Sequence, residues 1–121
     1  GWAIVLAART ESRLLAMRDD IAGAGGSVLA VPTDVTDAAQ VEALFAATHD
    51  AYGRIDALVN NAGMSTGGEI ADTDAEAWWD TVDVNLRGTY LCSRAALLRM
   101  LPAGDGHIVN ILSLASETED R

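Results

Sequence analysis

The sequence predicts an α/β fold in which parallel strands alternate with helices. Four short apolar runs are separated by segments with helical spacing, and none of the runs alternates with period two. Continuous runs of Val, Ile, Leu and Ala are typical of strands covered on both faces, as in parallel sheets. The resulting order, β-α-β-α-β-α-β, favours right-handed crossovers within about one domain. The predicted strands are Trp2–Ala8, Ser27–Val31, Ile55–Val59 and His107–Ile111.

The first two predicted helices have clear ends. The first follows Thr10, which is predicted as its N-cap, and it ends at Gly23. The second begins near Asp37 and stops at Gly53. The glycine run Gly23–Gly26 precedes a strand, whereas a phosphate-binding loop follows a strand and opens a helix. We therefore interpret this run as a helix stop and turn.

A third helical region is longer and more apolar. The stretch Thr73–Glu76 has the pattern of a capping box and is predicted to open it, while Pro102 and Gly104 are predicted to end it near Leu101. Apolar residues cover most of the circumference of the segment Asn85–Leu101. A helix that is apolar nearly all round needs burial on two sides. We expect the sheet on one side, and a partner subunit or an added layer of the same chain on the other.

The composition argues against several classes of function. The chain has 8 arginines, no lysine and 18 acidic residues, for a net charge of −10 at pH 7. Such a chain is a poor candidate for binding nucleic acid or an anionic membrane. Cys92 is the only cysteine, and neither His49 nor His107 has ligand-like spacing, so no metal is assigned. No apolar stretch approaches about 18 residues, and a reducing, cytoplasmic setting is the default expectation.

Polar or glycine-bearing residues follow each predicted strand. In open α/β sheets this rim, outside the carboxyl ends of the strands, is where ligands bind. The residues are Arg9 and Thr10 after the first strand, Asp34 and Val35 after the second, Asn60 to Gly63 after the third, and Ser113 and Ser116 after the fourth.

Four motifs in order carry a family resemblance. They are DVTD at 34–37, LVNNAG at 58–63, DVNLRGTYLCSRAAL at 83–97 and GHIVNILSLAS at 106–116. Through them the chain resembles the classical short-chain dehydrogenase/reductase family over essentially its whole length. The resemblance implies a Rossmann-like doubly wound parallel sheet, with residues 1–121 forming a partial NAD(P)-binding domain. It also implies hydride transfer between a nicotinamide cofactor and a small carbonyl or alcohol substrate, in a homo-oligomer that is a tetramer or dimer.

The end of the first predicted strand indicates which cofactor is preferred. In such folds an acid at the equivalent position binds the ribose 2′-hydroxyl of NAD, whereas a nearby Arg accommodates the 2′-phosphate of NADP. Ala8 stands at the acidic position and Arg9 follows it. Alanine brings no charge to repel a phosphate, Arg9 offers a charge-assisted fork, and Thr10 adds a donor. We predict that NADP(H) is preferred, with NAD(H) as the alternative.

The resemblance also assigns further contacts with the cofactor. Asp34 would accept a hydrogen bond from the adenine amino group, with the Val35 backbone beside it. Asn60, Ala62 and Gly63 would line the ribose, because small residues let the backbone approach a flat ligand closely.

The predicted catalytic residues come from the last two motifs. By resemblance, Ser113 would donate a hydrogen bond to the substrate carbonyl and stabilise developing negative charge. Ser116 is the less favoured alternative. Asn85 would hold a water in a proton relay through its side chain, and Asn61 would brace neighbouring strands through its amide.

Two parts of the family pattern have no match here. The first is a Tyr-x-x-x-Lys pair, which moves the proton in this chemistry. Tyr52 is followed four residues later by Asp56, and Tyr90 by Arg94, and the sequence has no lysine. The second is a first strand with its Gly-rich turn, whose amides would hold the pyrophosphate.

The unmatched first strand has a predictable place in the sheet. In the strand order 3-2-1-4-5-6 it lies between the first and third strands of this chain, so its absence leaves a gap of ~9–10 Å. Unpaired buried backbone groups are costly. We therefore expect an incomplete domain that is poorly stable and inactive by itself, unless those two strands collapse into direct pairing.

Two other classes of function remain open at this point. One is a non-catalytic nucleotide-binding or scaffold relative on the same fold, which would be favoured if no Tyr-x-x-x-Lys pair stood in the residues that follow Arg121 in the complete protein. The other is a flavodoxin-like or receiver-like domain. A receiver needs clustered acids after its first strand and a lysine after a late strand, so the lack of lysine counts against it.

Overall fold

The structure is a computed structural model that describes residues 1–113. Ser116, the alternative catalytic serine, lies outside the described residues. Strands and helices alternate as predicted, and each predicted strand coincides with an observed one to within two residues at either end. The elements are β1 (Ala3–Ala8), α1 (Glu11–Gly23), β2 (Ser27–Pro32), α2 (Ala38–Tyr52), β3 (Ala57–Asn60), α3 (Ala75–Val82), a π-helical segment (Asp83–Gly88), α4 (Thr89–Ala103) and β4 (His107–Asn110).

The strands form two parallel pairs. β1 pairs with β2 from Ala3 opposite Ser27 to Ala8 opposite Pro32, and β3 pairs with β4 in the same direction. Within residues 1–113 no strand pairing joins β1 to β3. Of the two arrangements expected from the sequence, the described part of the chain therefore shows the open one, and the inner edges of β1 and β3 face each other unpaired.

The ends of α1 and α2 follow the sequence signals. The Asp37 carboxylate caps α2 by accepting from the backbone amides of Ala39 and Gln40, and Gly53 ends it in the left-handed conformation with φ 74°. Thr10 occupies the N-cap position of α1, but its side chain makes no capping hydrogen bond. After α1 the amide of Gly26 returns to the carbonyl of Ile21, as expected for a helix stop and turn.

The start of α3 differs from the predicted capping box by one residue. Asp74, and not Thr73, is the N-cap, and its carboxylate accepts from the amide of Ala77 at 3.0 Å. The hydroxyl of Thr73 instead donates to the carbonyl of Glu69 at 3.0 Å, closing the turn that precedes the helix. Both residue types are good caps, so local preference could not separate them.

The long helical region is interrupted by a π-helical segment, which the sequence analysis did not predict. In this segment, Asp83–Gly88, the wider turn connects α3 to α4. The predicted stop at Pro102 is also wrong, because Pro102 lies within the last turn of α4. Gly104, with φ 71°, ends the helix after Ala103.

The core lies between α2, α4 and the strands. α2 contributes Val41, Leu44 and Phe45, α4 contributes Cys92, Ala95, Ala96 and Met100, and strand residues such as Val5, Leu58 and Ile108 pack against them. This cluster spans both strand pairs, so the helices hold the two pairs together. Leu14 of α1 is buried outside the cluster, which places α1 in a separate layer against β1 and β2.

Arg99 of α4 braces the two helices of this core. Its guanidinium lies 5.6 Å from the ring centroid of Phe45 on α2, pairs with the Glu42 carboxylate and donates to the Ala95 carbonyl. The Arg99 side chain is largely covered, with 22% of its area exposed, whereas Glu42 is mostly exposed, so the stacking on Phe45 is the better shielded of the two contacts.

One face of the helical region remains uncovered in this chain. α4 buries the side that carries Cys92, whose thiol pKa is raised by desolvation. The opposite side exposes large apolar residues, as the all-round apolar pattern of the sequence led us to expect. These are Trp79, Leu86, Tyr90, Leu97, Leu98 and Leu101.

Candidate functional site

The loops that follow the strands meet in two groups at one rim. The amide of Thr33 donates to the carbonyl of Ala8 at 2.9 Å, which carries the pairing of β1 and β2 up to Arg9. The amide of Ile111 donates to the carbonyl of Asn60 at 3.0 Å, which does the same for β3 and β4 just before Ser113. Arg9, Thr10, Asp34 and Val35 thus form one group, and Asn60 to Gly63 lie with Ser113 in the other.

Arg9 and Thr10 are exposed where β1 leads into α1. Among the described residues Arg9 forms no ion pair, although its positive charge acts on the nearby Asp34 carboxylate. The Thr10 carbonyl accepts from the amide of Leu14, while its hydroxyl is not used as a helix cap. Both side chains can therefore offer donors to an anion at this rim.

Asp34 organises a tight turn between β2 and α2. Its Oδ1 accepts from the amide of Thr36 at 2.9 Å and from the Thr36 hydroxyl at 2.7 Å, and its own amide donates to the Gln40 side chain. The hydrogen bonds from Thr36, with a smaller contribution from the charge of Arg9, lower the pKa of Asp34 below its ordinary value. Asp34 is therefore an anionic acceptor at neutral pH, held in one orientation.

The two asparagines at the end of β3 differ in their contacts. Asn60, expected to face the cofactor, donates from its amide nitrogen to Ser93 of α4 at 3.0 Å and to Asn110 of β4 at 2.9 Å. Asn60 is therefore the brace that the sequence analysis assigned to Asn61. The Asn61 side chain is exposed and forms no hydrogen bond with residues 1–113. The bracing contact thus comes from the first asparagine, and the lining of the ribose by Asn60 stays a prediction.

This difference predicts unequal effects of substituting the two asparagines. Asn60→Ala should destabilise the complete protein by about 1–3 kcal/mol, because it removes two hydrogen bonds from a half-buried position. Asn61→Ala, the matched control, should change the free energy of unfolding by less than about 0.5 kcal/mol. Denaturant unfolding of the three proteins checks this. Equal losses from both substitutions would contradict the assignment.

Asn85 holds the loop that follows β3. Its Oδ1 accepts from the amide of Met64 at 2.9 Å and its Nδ2 donates to the carbonyl of Met64 at 2.8 Å. A Cβ on Gly63 would lie 3.4 Å from the Asn85 Oδ1, so a small residue at this position suits the contact. Ala62 and Gly63 are exposed at the rim beside this contact.

Ser113 lies two residues beyond the last backbone hydrogen bond of β4 and is exposed. It follows Asn110, which is bound by the Asn60 amide, so the Asn60 brace also fixes the strand end from which Ser113 extends. The predicted residues Ser113, Asn60 and Asn85 thus come from three different elements that the fold connects.

Sequence reasoning missed three residues that shape this rim. Ser93 and Asn110 bind Asn60, and Gly88 packs against Val35. Two signals were available in the sequence. β3 and β4 both end in Val-Asn, which placed two amides side by side in register, and Gly88 is an isolated glycine inside a helical pattern.

The fold and the site define the class of protein. Two parallel strand pairs with helices packed against them, and polar loops gathered at one rim, constitute an incomplete Rossmann-like α/β domain. Residues 1–120 match the family model described as short chain dehydrogenase. The chain belongs to the short-chain dehydrogenase/reductase family.

Known relatives support this assignment over nearly the whole chain. A Streptomyces virginiae protein assigned as the ketoacyl reductase of the monensin polyketide synthase is 43% identical, over 97% of this chain and 46% of that protein. The F189W actinorhodin polyketide ketoreductase, solved with NADPH, is 36% identical with a TM-score of 0.91, over 96% of this chain and 45% of its own. A metagenomic short-chain oxidoreductase solved with NADP is 36% identical with a TM-score of 0.90, over 99% and 55%.

The likeness has two consequences for this structure. The chain spans about half the length of the relatives it matches. The superposition on the F189W actinorhodin polyketide ketoreductase has a TM-score of 0.91 and includes both strand pairs. The two pairs therefore lie relative to each other as they do in that ketoreductase. In addition, no helix among residues 1–113 is both long and apolar enough to cross a membrane.

Proposed function

We propose that the complete protein is an NADP-dependent oxidoreductase that transfers hydride between the cofactor and a small carbonyl or alcohol substrate. The observation that carries the proposal is made at the end of β1. Ala8 stands where an acid would bind the ribose, and the exposed cation Arg9 follows it. Asp34 lies close enough to feel the charge of Arg9. Family membership supports the reaction, and two relatives named above were solved with NADPH or NADP.

The rim fits the adenosine end of NADP. The Arg9 guanidinium would bind the 2′-phosphate through charge-assisted hydrogen bonds, with the Thr10 hydroxyl as a further donor. The ionised Asp34 would accept from the adenine amino group, and the Val35 backbone would lie beside the ring. Asn60, Ala62 and Gly63 would line the ribose, and the small side chains of Ala62 and Gly63 would allow it to approach the backbone. When bound, NADPH supplies the hydride.

Ser113 and Asn85 are the proposed catalytic residues. The Ser113 hydroxyl would donate to the substrate carbonyl oxygen, where negative charge develops as hydride arrives. Asn85 commits one N–H and one lone pair to Met64, so its second amide hydrogen remains for the water of a proton relay. The protonating Tyr-x-x-x-Lys pair has no counterpart among the 121 residues. We therefore propose that this chain alone does not turn over substrate.

The experiment is an NADPH-oxidation assay on the protein expressed from its complete reading frame. Two relatives are named as ketoreductases or ketoacyl reductases, so a β-ketoacyl thioester is a suitable first substrate beside simple ketones. Turnover with NADPH supports the oxidoreductase. A complete protein that binds NADPH but carries no Tyr-x-x-x-Lys pair and reduces none of these substrates would support the non-catalytic scaffold relative instead.

Arg9→Ala should weaken NADP binding by about ten- to a hundredfold, because it removes the charge-assisted bonds to the 2′-phosphate. Binding of NAD, which has no such phosphate, should change by less than about twofold. Titration calorimetry with both cofactors measures this. Arg54→Ala is the matched control, since Arg54 is exposed, pairs with Asp56 and precedes β3 at the opposite end of the strands. Equal losses for NADP and NAD would rule out phosphate recognition by Arg9.

The exposed face of α4 supports a homo-oligomer for the complete protein. Leu97, Leu98 and Leu101 are 42%, 55% and 72% exposed, which is unusual for neighbouring leucines in a monomer. We propose a dimer or tetramer that covers this face, and light scattering of the complete protein tests it.

A further inference from the structure

The backbone conformation of Gly88 does not require a glycine. It is buried at the end of the π-helical segment, with φ −59° and ψ −47°, which every residue type adopts readily. Within a helix glycine is less favourable than alanine. A compensating contact should therefore exist at this position.

The contact is with Val35. A Cβ on Gly88 would lie 2.6 Å from Val35 Cγ2, 3.2 Å from Val35 Cβ and 3.6 Å from its carbonyl oxygen. Rotating the Val35 side chain would move Cγ2 away but would leave its Cβ in place. The severe contact is the one with Cγ2 at 2.6 Å, whereas the Cβ contact at 3.2 Å needs a shift of only a few tenths of an ångström. Because valine is β-branched and its rotamers are restricted, relief of the Cγ2 clash shifts the turn.

The turn that carries Val35 would move as a unit. Asp34 is bonded to Thr36 on one side and to the Gln40 side chain on the other, and the amide of Asp37 donates to the Asp34 carbonyl at 3.1 Å. These bonds tie the turn to the first turn of α2. A displacement at Val35 is therefore passed on to the carboxylate of Asp34.

We propose that Gly88 is a positioning residue for the adenosine end of the nucleotide. Because Gly88 has no side chain, the Asp34–Thr36 turn packs closely against the π-helical segment. The distance between the turn and this segment sets the position from which the Asp34 carboxylate contacts the adenine. The proposal rests on the proposed NADP function. It adds a residue of the π-helical segment that would not contact the nucleotide itself and would act on Asp34 through Val35.

The test is a substitution with a designed rescue, made in the complete protein. Gly88→Ala should weaken binding of 2′,5′-ADP by roughly ten- to a hundredfold, since overpacking a buried contact forces the backbone to move. Val35→Ala in the same protein removes the closest atom, so the double variant should bind at least about fivefold more tightly than Gly88→Ala. Gly23→Ala is the matched control, because it is a helical glycine whose added Cβ meets nothing within 4 Å. It should bind as the wild type does.

A second readout separates positioning from general destabilisation. In amide NMR spectra Gly88→Ala should shift the signals of Asp34, Val35 and Thr36, and Val35→Ala should restore Asp34 and Thr36 towards their original positions. If Gly88→Ala does not fold, the double variant should fold and bind as Val35→Ala alone does. Unchanged binding by Gly88→Ala, or a double variant that is not rescued, overturns the proposal.

The two proposals fail in different ways. If the wild-type protein does not bind 2′,5′-ADP, the NADP function is wrong, but the NMR shifts at Asp34 to Thr36 still decide whether Gly88 sets the turn. If the wild type binds and Gly88→Ala binds equally well, only the positioning role is wrong.

Discussion

Replacing Ser113 by alanine is expected to lower kcat of the complete protein by roughly 10²–10³-fold. The proposed hydroxyl donates to the carbonyl oxygen as negative charge develops there, so its loss should affect the transition state far more than the bound cofactor. The measurement is steady-state NADPH oxidation with a saturating ketone, accompanied by titration of NADP. Affinity for NADP should change by less than about threefold.

Two variants make the Ser113 result specific. Ser113→Thr keeps a hydroxyl and should retain more activity than Ser113→Ala. Ser27→Ala removes an exposed hydroxyl at the start of β2, at the end opposite the rim, and should leave kcat unchanged. A Ser113→Ala protein with a kcat within about twofold of wild type would remove Ser113 from the proposed mechanism.

Replacing Phe45 by alanine is expected to destabilise the protein by about 3–5 kcal/mol. Phe45 is only 4% exposed, lies in the cluster that joins the two strand pairs and is covered by the Arg99 guanidinium. The substitution removes a large buried side chain and the cation–π contact at once. Within residues 1–113 this cluster joins the two strand pairs, so in the complete protein the cavity should weaken the contact between them.

Denaturant unfolding, followed by circular dichroism, measures the Phe45 effect. Phe45→Leu should lose less than half as much, because leucine refills part of the volume. Leu98→Ala is the surface control on α4, where the side chain is 55% exposed, and it should cost little. A Phe45→Ala protein destabilised by no more than the Leu98 variant would show that the halves are held together elsewhere.

The fold was predictable from the sequence because its signals are local. Continuous apolar runs gave all four strands to within two residues, and Asp37 and Gly53 marked the ends of α2 correctly. Parallel pairing followed from the alternation of strands with helices. The order in which the strands pair depends on distant segments, and here the family resemblance supplied the expectation of an open arrangement.

The sequence predicted which residues follow the strands but not which contacts they make. The rim does gather Arg9 with Asp34, as expected from the carboxyl ends of parallel strands. That Asn60 and not Asn61 binds Ser93 and Asn110 depends on which face each presents to α4 and β4. That choice is fixed by strand register, which the run of apolar residues before them does not reveal, because it lacks a period-two pattern.

The π-helical segment and the packing of Gly88 could not be predicted from the neighbouring sequence either. Apolar periodicity indicates that a helix is present but is too coarse to detect one widened turn. The reason for Gly88 lies on Val35, 53 positions earlier in the chain, and becomes visible only once both residues are in place.

The open inner edges of β1 and β3 bear on how this chain behaves at high concentration. Exposed strand edges are templates for strand addition between molecules, and proteins usually guard them with lysine, proline or bulges. β1 reads AIVLAA and carries no such guard. Repulsion between molecules instead comes from the net charge of the whole chain, which is −10 at pH 7. Near its isoelectric point of about 4.3 that repulsion vanishes, so acidification should promote association of this chain through the unpaired edges of β1 and β3.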